Sequence, residues 1–225
     1  MSVIYSRAEP PKRWAQLQSR SAMRDRLGNA FAGMDDLSGS LEVRVRYTER
    51  TSPPVPDFPE LQEGFVLSER ATAVAPDGLL DMFRLIPLAI TGGARVMRRS
   101  EIWYESPDEE WKKIKGIDQK YFLLKATSAF MPDKPDPVKP EMNIETDADG
   151  EASMDATVKW LQAGFSEMHA MPANLAAFFA TREPPMLFAF GSAGRPYFTE
   201  KFVQWVKKNK LTGLTYEEVA RNQLA

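Results

Sequence analysis

The chain has 225 residues, 43% of them hydrophobic and 27% charged, which is globular composition with enough length to bury a sizeable core and excludes disordered and collagen-like classes. It contains no Cys and a single His, His169, so disulfides, thiolate metal sites and cysteine nucleophiles are excluded and little remains for imidazole zinc ligation or a Ser-His-Asp triad. The net charge of -2 is unevenly spread: residues 1–50 hold 9 basic against 6 acidic side chains, 51–155 hold 12 against 20, and 156–225 hold 8 against 5.

In chain order, MSVIYSRAEPPKRW is broken by charge and proline before reaching signal-peptide length, and no window approaches the roughly 18 to 20 apolar residues of a membrane span. A cytoplasmic protein is therefore expected. Leu17, Met23, Leu27, Phe31 and Met34 share one side of a helical wheel, which predicts an amphipathic helix over 12–34. SLEVRVRYTER alternates Leu41, Val43, Val45 and Tyr47 with polar residues and predicts a strand with one wet face. TSPPVPDFPE carries four prolines, so it is neither helix nor interior strand and marks a boundary between an N-terminal helix and strand region, 1–55, and the remainder, 56–225.

In the remainder, GFVLS reads as a strand whose Ser68 caps a helix beginning at Glu69. The apolar stretch from Leu79 to Leu85 runs to Pro87, and Gly92-Gly93 reads as a turn. ARVMRRSEIWYES and QKYFLLKATSAF are rich in aromatic and β-branched residues and predict strands, with a polar turn between them. PDKPDPVKP and the run Glu141, Glu145, Asp147, Asp149, Glu151 and Asp155 predict a long acidic excursion of polyproline character over 132–155. Helices are expected at 154–168 and 173–182. MLFAF reads as a buried strand, GSAGRP as a turn, PYFTEKFVQWVKKNK as a helix with Thr199 at its start, and LTGLTYEEV as a final strand. GFVLSERATAV and RPYFTEKFVQWV share one order: apolar residues, a hydroxyl residue, Glu, a basic residue, then a helical apolar face. A repeated strand-to-helix unit accounts for both. The fold class that follows is α+β, a mixed or mainly antiparallel sheet with packed helices, in one domain with an N-terminal helix-strand extension.

Phe198, Thr199, Glu200 and Lys201, the helix through Lys208, the Thr212-Gly213 turn and Tyr216 form the order aromatic, hydroxyl-Glu-basic, amphipathic helix, Thr-Gly turn, aromatic-bearing strand. This order resembles the end of the eleventh family of bacterial polymorphic-toxin immunity proteins, and GFVLSERATAV resembles the earlier Ser-Glu-Arg element of such proteins. The likeness covers roughly residues 60–220. It implies a non-catalytic cytosolic antidote, without cofactor, that binds and neutralises a cognate secreted toxin used in interbacterial competition.

Chemical alternatives rest on thinner patterns. GSAG at 191–194 and TGGA at 91–94 lack the Lys-Ser/Thr of a P-loop and the third Gly of a dinucleotide fingerprint. His169 has no implied partner, Asp108 and Glu109 are neighbours in a turn, and no calcium-loop spacing occurs, so no metal or catalytic residue is assigned. Arg44 and Arg46 on one strand face, and Arg95, Arg98 and Arg99 near Trp103 and Tyr104, form a basic-aromatic mixture, but the acidic balance opposes nucleic-acid binding. An inhibitor calls for aromatic anchors with a charged rim. Trp103, Asp108, Glu109, Glu110 and Trp111, together with Glu145, Asp147 and Asp149, are the candidate partner-binding residues, and Trp205 is a further aromatic beside charge. The competing expectation is an enzyme or small-ligand protein with an unfamiliar site.

Overall fold

A computed structural model describes residues 2–8, 16–19, 41–47, 54–61, 64–95, 119–139, 170–191 and 194–222. The class is α+β, with mixed and antiparallel strand pairing. The chain forms two compact units: one comprises Met1–Ser6, Ala126–Val203 and Glu217–Ala225, the other Arg7–Lys125 and Gln204–Tyr216.

The first unit is built on a sheet of β1 (Ser2–Arg7), β8 (Ala129–Met131), β9 (Lys134–Val138), β10 (Leu187–Phe190), β11 (Arg195–Thr199) and β12 (Tyr216–Asn222), in the order β12-β1-β11-β10-β8-β9. β10 lies inside the sheet, which is why its LFAF is apolar at every position and buried throughout. Its Phe188 and Phe190 pack edge-on against Phe179 and Phe178 respectively, at centroid separations of 5.0 and 5.4 Å. Phe178 closes, and Phe179 directly follows, a helix at residues 170–178. Pro172 lies within this helical stretch. The helix expected at 154–168 lies outside the described residues.

PDKPDPVKP departs from the expected excursion. Pro132 and Asp133 form a turn, and Lys134–Val138 is a strand pairing antiparallel with β8, Met131 opposite Lys134. Pro135 and Pro137 are compatible with a strand because β9 is outermost among the described strands of the sheet, where a missing N–H can face away from the ladder. The acidic run at 140–155 lies outside the described residues.

The second unit holds β2 (Gln16–Ser19), β3 (Leu41–Tyr47), β4 (Glu60–Leu61), β5 (Gly64–Ser68), β6 (Phe83–Arg95) and β7 (Tyr121–Ala126), in the order β2-β3-β6-β7-β5-β4. Residues 16–19 correct the expected N-terminal helix: they form a strand antiparallel to β3, with Leu17 opposite Val45. Four residues cannot separate a helical from an extended period, and pairing with β3 decides it. The rest of 12–34 lies outside the described residues. Leu17, Val43, Val45, Val66, Ile86 and Leu123 form the core on this sheet.

Gly92-Gly93 is a second correction, since β6 runs straight through it. The register with β3 jumps from Val43 opposite Ile90 to Arg44 opposite Gly92, so the glycines accommodate a β-bulge rather than a turn. QKYFLLKATSAF is likewise two strands, β7 and β8. The final strand starts at Tyr216 rather than Leu211.

Candidate functional site

All eight candidate partner-binding residues, Trp103, Asp108, Glu109, Glu110, Trp111, Glu145, Asp147 and Asp149, lie outside the described residues, as does His169. Trp205 is buried: its indole Nε1 donates to the Val74 carbonyl at 3.0 Å and its ring meets Phe58 edge-on. It is a core residue of the second unit, not an exposed anchor.

What the second unit does assemble is a polar brace around Asp57, in the middle of the proline-rich connector. Phe58 beside it is fully buried, and its ring packs against Phe65 on β5, which draws the connector into the unit. Asp57 is only 4% exposed. A buried carboxylate is costly unless its lone pairs are met, and here, besides a long contact from Gln119 Nε2 to Oδ1 at 3.5 Å, they are met from three directions.

The first is β5: Ser68 Oγ donates to Asp57 Oδ1 at 2.7 Å while the Ser68 amide donates to the Asp57 carbonyl at 2.8 Å. The same Ser68 oxygen accepts the Ala71 amide at 3.1 Å, making the expected cap on the helix Glu69–Ala73. The second is that helix, whose Arg70 Nη1 donates to Asp57 Oδ2 at 3.2 Å. Arg70 Nη2 reaches the carbonyls of Asn209 and Lys210, just past the end of the helix Glu200–Lys208, where terminal carbonyls lack intrahelical donors. The third is Thr212, in the segment between the helix Glu200–Lys208 and β12: its amide and hydroxyl donate to Asp57 Oδ2 at 2.9 and 3.1 Å, and its hydroxyl accepts the Asp57 amide at 3.2 Å.

Gly213 completes this junction. Its φ of +86° favours glycine, and a Cβ there would stand 2.4 Å from Pro56 Cβ. Tyr121, cross-strand partner of Ser68, donates its hydroxyl to the Val55 carbonyl at 3.1 Å. Burial, reinforced by the Asp57 charge, pushes the phenol well above its ordinary range, so it stays protonated as the donor this bond requires.

Arg7, on the other side of Phe58, donates Nη2 to the Phe58 carbonyl at 2.8 Å and lies over the Phe65 ring. Its Nε and Nη1 are buried without an acceptor. Desolvation lowers its pKa to about 10, against the opposing pull of the Glu60 charge.

Chemically, this arrangement is a brace. Each Asp57 oxygen already accepts hydrogen bonds from the protein, whereas a general base needs a lone pair open to a substrate proton. Among the described residues, no three His, Cys, Asp or Glu side chains gather as a metal site would need, and no helix is long and apolar enough to cross a membrane. Sequence reasoning found Ser68 but missed Asp57 and Arg7: an isolated Asp among prolines has no periodicity, and its partners lie 11, 13 and 155 residues away. Compared with protein-family models, curated proteins and solved structures, the chain matches none.

Proposed function

We propose that this chain is a cytoplasmic immunity protein that binds a cognate secreted bacterial toxin and neutralises it by occlusion, without catalysis or cofactor. The supporting observation is that residues carrying the resemblance are engaged in building the scaffold. Ser68, Arg70 and Thr212 converge on Asp57, and Gly213 is fitted against Pro56. Phe198 and Thr199 close β11, and Glu200 and Lys201 open the helix that follows it.

In this reading the shared pattern specifies architecture, and recognition belongs to surface segments that can differ from one toxin to the next. The acidic middle of the chain, 12 basic against 20 acidic side chains over residues 51–155, suits a basic partner and faster association with it. Binding then weakens as salt rises.

The test is a pull-down of tagged protein from its native host at moderate salt, with mass spectrometry of what remains bound. The expected result is one stoichiometric protein that is lethal when expressed alone and harmless when co-expressed with this chain. A chain that retains a metabolite and no protein partner overturns the proposal in favour of an enzyme or small-ligand protein.

A further inference from the structure

The two ends of the first unit's sheet are finished differently. β9 closes one end with prolines at 135 and 137, which cannot donate to an added strand. Among the described residues, β12 forms the other end with seven residues, YEEVARN, and no proline. An outermost strand with its donors intact is a template for another strand unless side chains discourage it. The question is therefore what the charges on β12 select.

Antiparallel pairing of β12 with itself around a twofold axis brings residues to face each other symmetrically about a central residue. A centre at Glu217, Glu218 or Arg221 sets that residue against its own copy, like charge on like charge, which is unfavourable for directly opposed residues. A centre at Ala220 sets Arg221 against Val219 and forms no ion pair. A centre at Val219 sets Glu217 against Arg221, and the symmetry makes that pair twice, with Glu218 opposite Ala220 and no like charges facing. Glu217 and Arg221 are both exposed. The competing bonds of Arg221 to Glu218 within the strand join side chains that are 56% and 39% exposed, so exchanging them costs little.

We propose that β12 is a self-association edge: two copies of this chain pair antiparallel through Tyr216–Asn222 about Val219, joining their sheets and placing Glu217 of each copy against Arg221 of the other. The proposal does not depend on the immunity reading.

The test is sedimentation velocity of the full chain over a wide concentration range. The expected result is a reversible monomer-dimer equilibrium. Glu217→Arg replaces two ion pairs by two repulsive contacts and raises the dimer dissociation constant by about tenfold or more, whereas Glu217→Arg with Arg221→Glu restores dimerisation to within about threefold. Hydrogen exchange of the wild-type protein gives a second readout that needs no variant: amides of β12 gain protection as concentration rises. A chain that stays monomeric at the highest concentration, a dimer indifferent to Glu217→Arg, a double variant as weak as the single, or β12 exchange independent of concentration each overturns the proposal.

Discussion

Among the described residues, two strand-to-helix junctions share one local design, one in each unit's sheet, and they are wired in opposite ways. At Ser68 the hydroxyl is fully buried, donates to a carboxylate and accepts the first-turn amide of Ala71. Thr199 is also buried, at 3% exposure, yet its hydroxyl has no hydrogen-bond partner among the described residues. Each has a tyrosine nearby: Tyr121 opposite Ser68 serves the Val55 carbonyl, while Tyr5, one residue past Thr199's partner Ile4, donates to Glu200 at 2.8 Å. The first junction is held by a polar network, the second by aromatic packing, with Phe198 against Phe202 at 5.1 Å and Tyr5 stacked near Phe198. A shared sequence pattern thus fixes a turn of the chain without fixing what stabilises it.

The largest expected effect comes from removing the centre of the polar junction. Asp57→Ala strands the Ser68 hydroxyl and the Thr212 amide and deprives Arg70 of its carboxylate; Arg70 is half exposed, so that share is discounted for solvent. The loss of buried partners sets the scale, about 3 kcal/mol, measured by urea unfolding. A loss below about 1 kcal/mol would mean that Asp57 does not hold the junction together and would erase the contrast with Thr199.

Ser68→Ala comes next. It removes the cap and one of the Asp57 donors together, an expected loss of about 2 kcal/mol. Combining it with Asp57→Ala should cost less than the sum, because the two side chains share one network. Strict additivity in the double-mutant cycle would show that they act separately.

These contrasts mark how far the sequence could be read. Elements whose cause lies within a few residues were legible: the alternating β3, the all-apolar β10, the Ser68 cap and the helix after Thr199. Features set by sheet position were not. Gly92-Gly93 signals a turn locally but serves a bulge against β3, and Pro135 and Pro137 argue against a strand until β9 is known to be outermost among the described strands. Leu17 fits a helical stripe as well as a strand, and only β3 decides. Asp57 is the extreme case, because its role exists only once the connector, the Ser68 junction and the Thr212 segment meet.

A smaller effect is expected with pH. Tyr121 has its phenol pKa raised in the fold, so its contribution is complete below the unfolded value of about 10 and declines as pH rises beyond it. Arg7 runs the other way, its pKa lowered to about 10, so the penalty of burying its cation eases over the same alkaline range. Comparing wild type with Tyr121→Phe at pH 8 and pH 11 isolates the tyrosine: the wild type's advantage should shrink by about 1 kcal/mol at the higher pH. An advantage that holds steady would mean Tyr121 titrates alike in folded and unfolded chains.

Thr199→Val should have the smallest effect and the most informative sign. Valine keeps the β-branched shape that suits the end of β11 and removes only a hydroxyl that is buried without a partner among the described residues. A buried hydroxyl with no bond carries a desolvation cost, so its removal should leave stability unchanged or raise it by up to about 1 kcal/mol. Ser68→Ala and Thr199→Val each delete one hydroxyl from the same position in the repeated pattern, and they should move the urea midpoint in opposite directions or leave only the first one shifted. If Thr199→Val instead destabilises the protein as much as Ser68→Ala does, the Thr199 hydroxyl makes a bond in solution that packing does not replace, and the two junctions are equivalent after all.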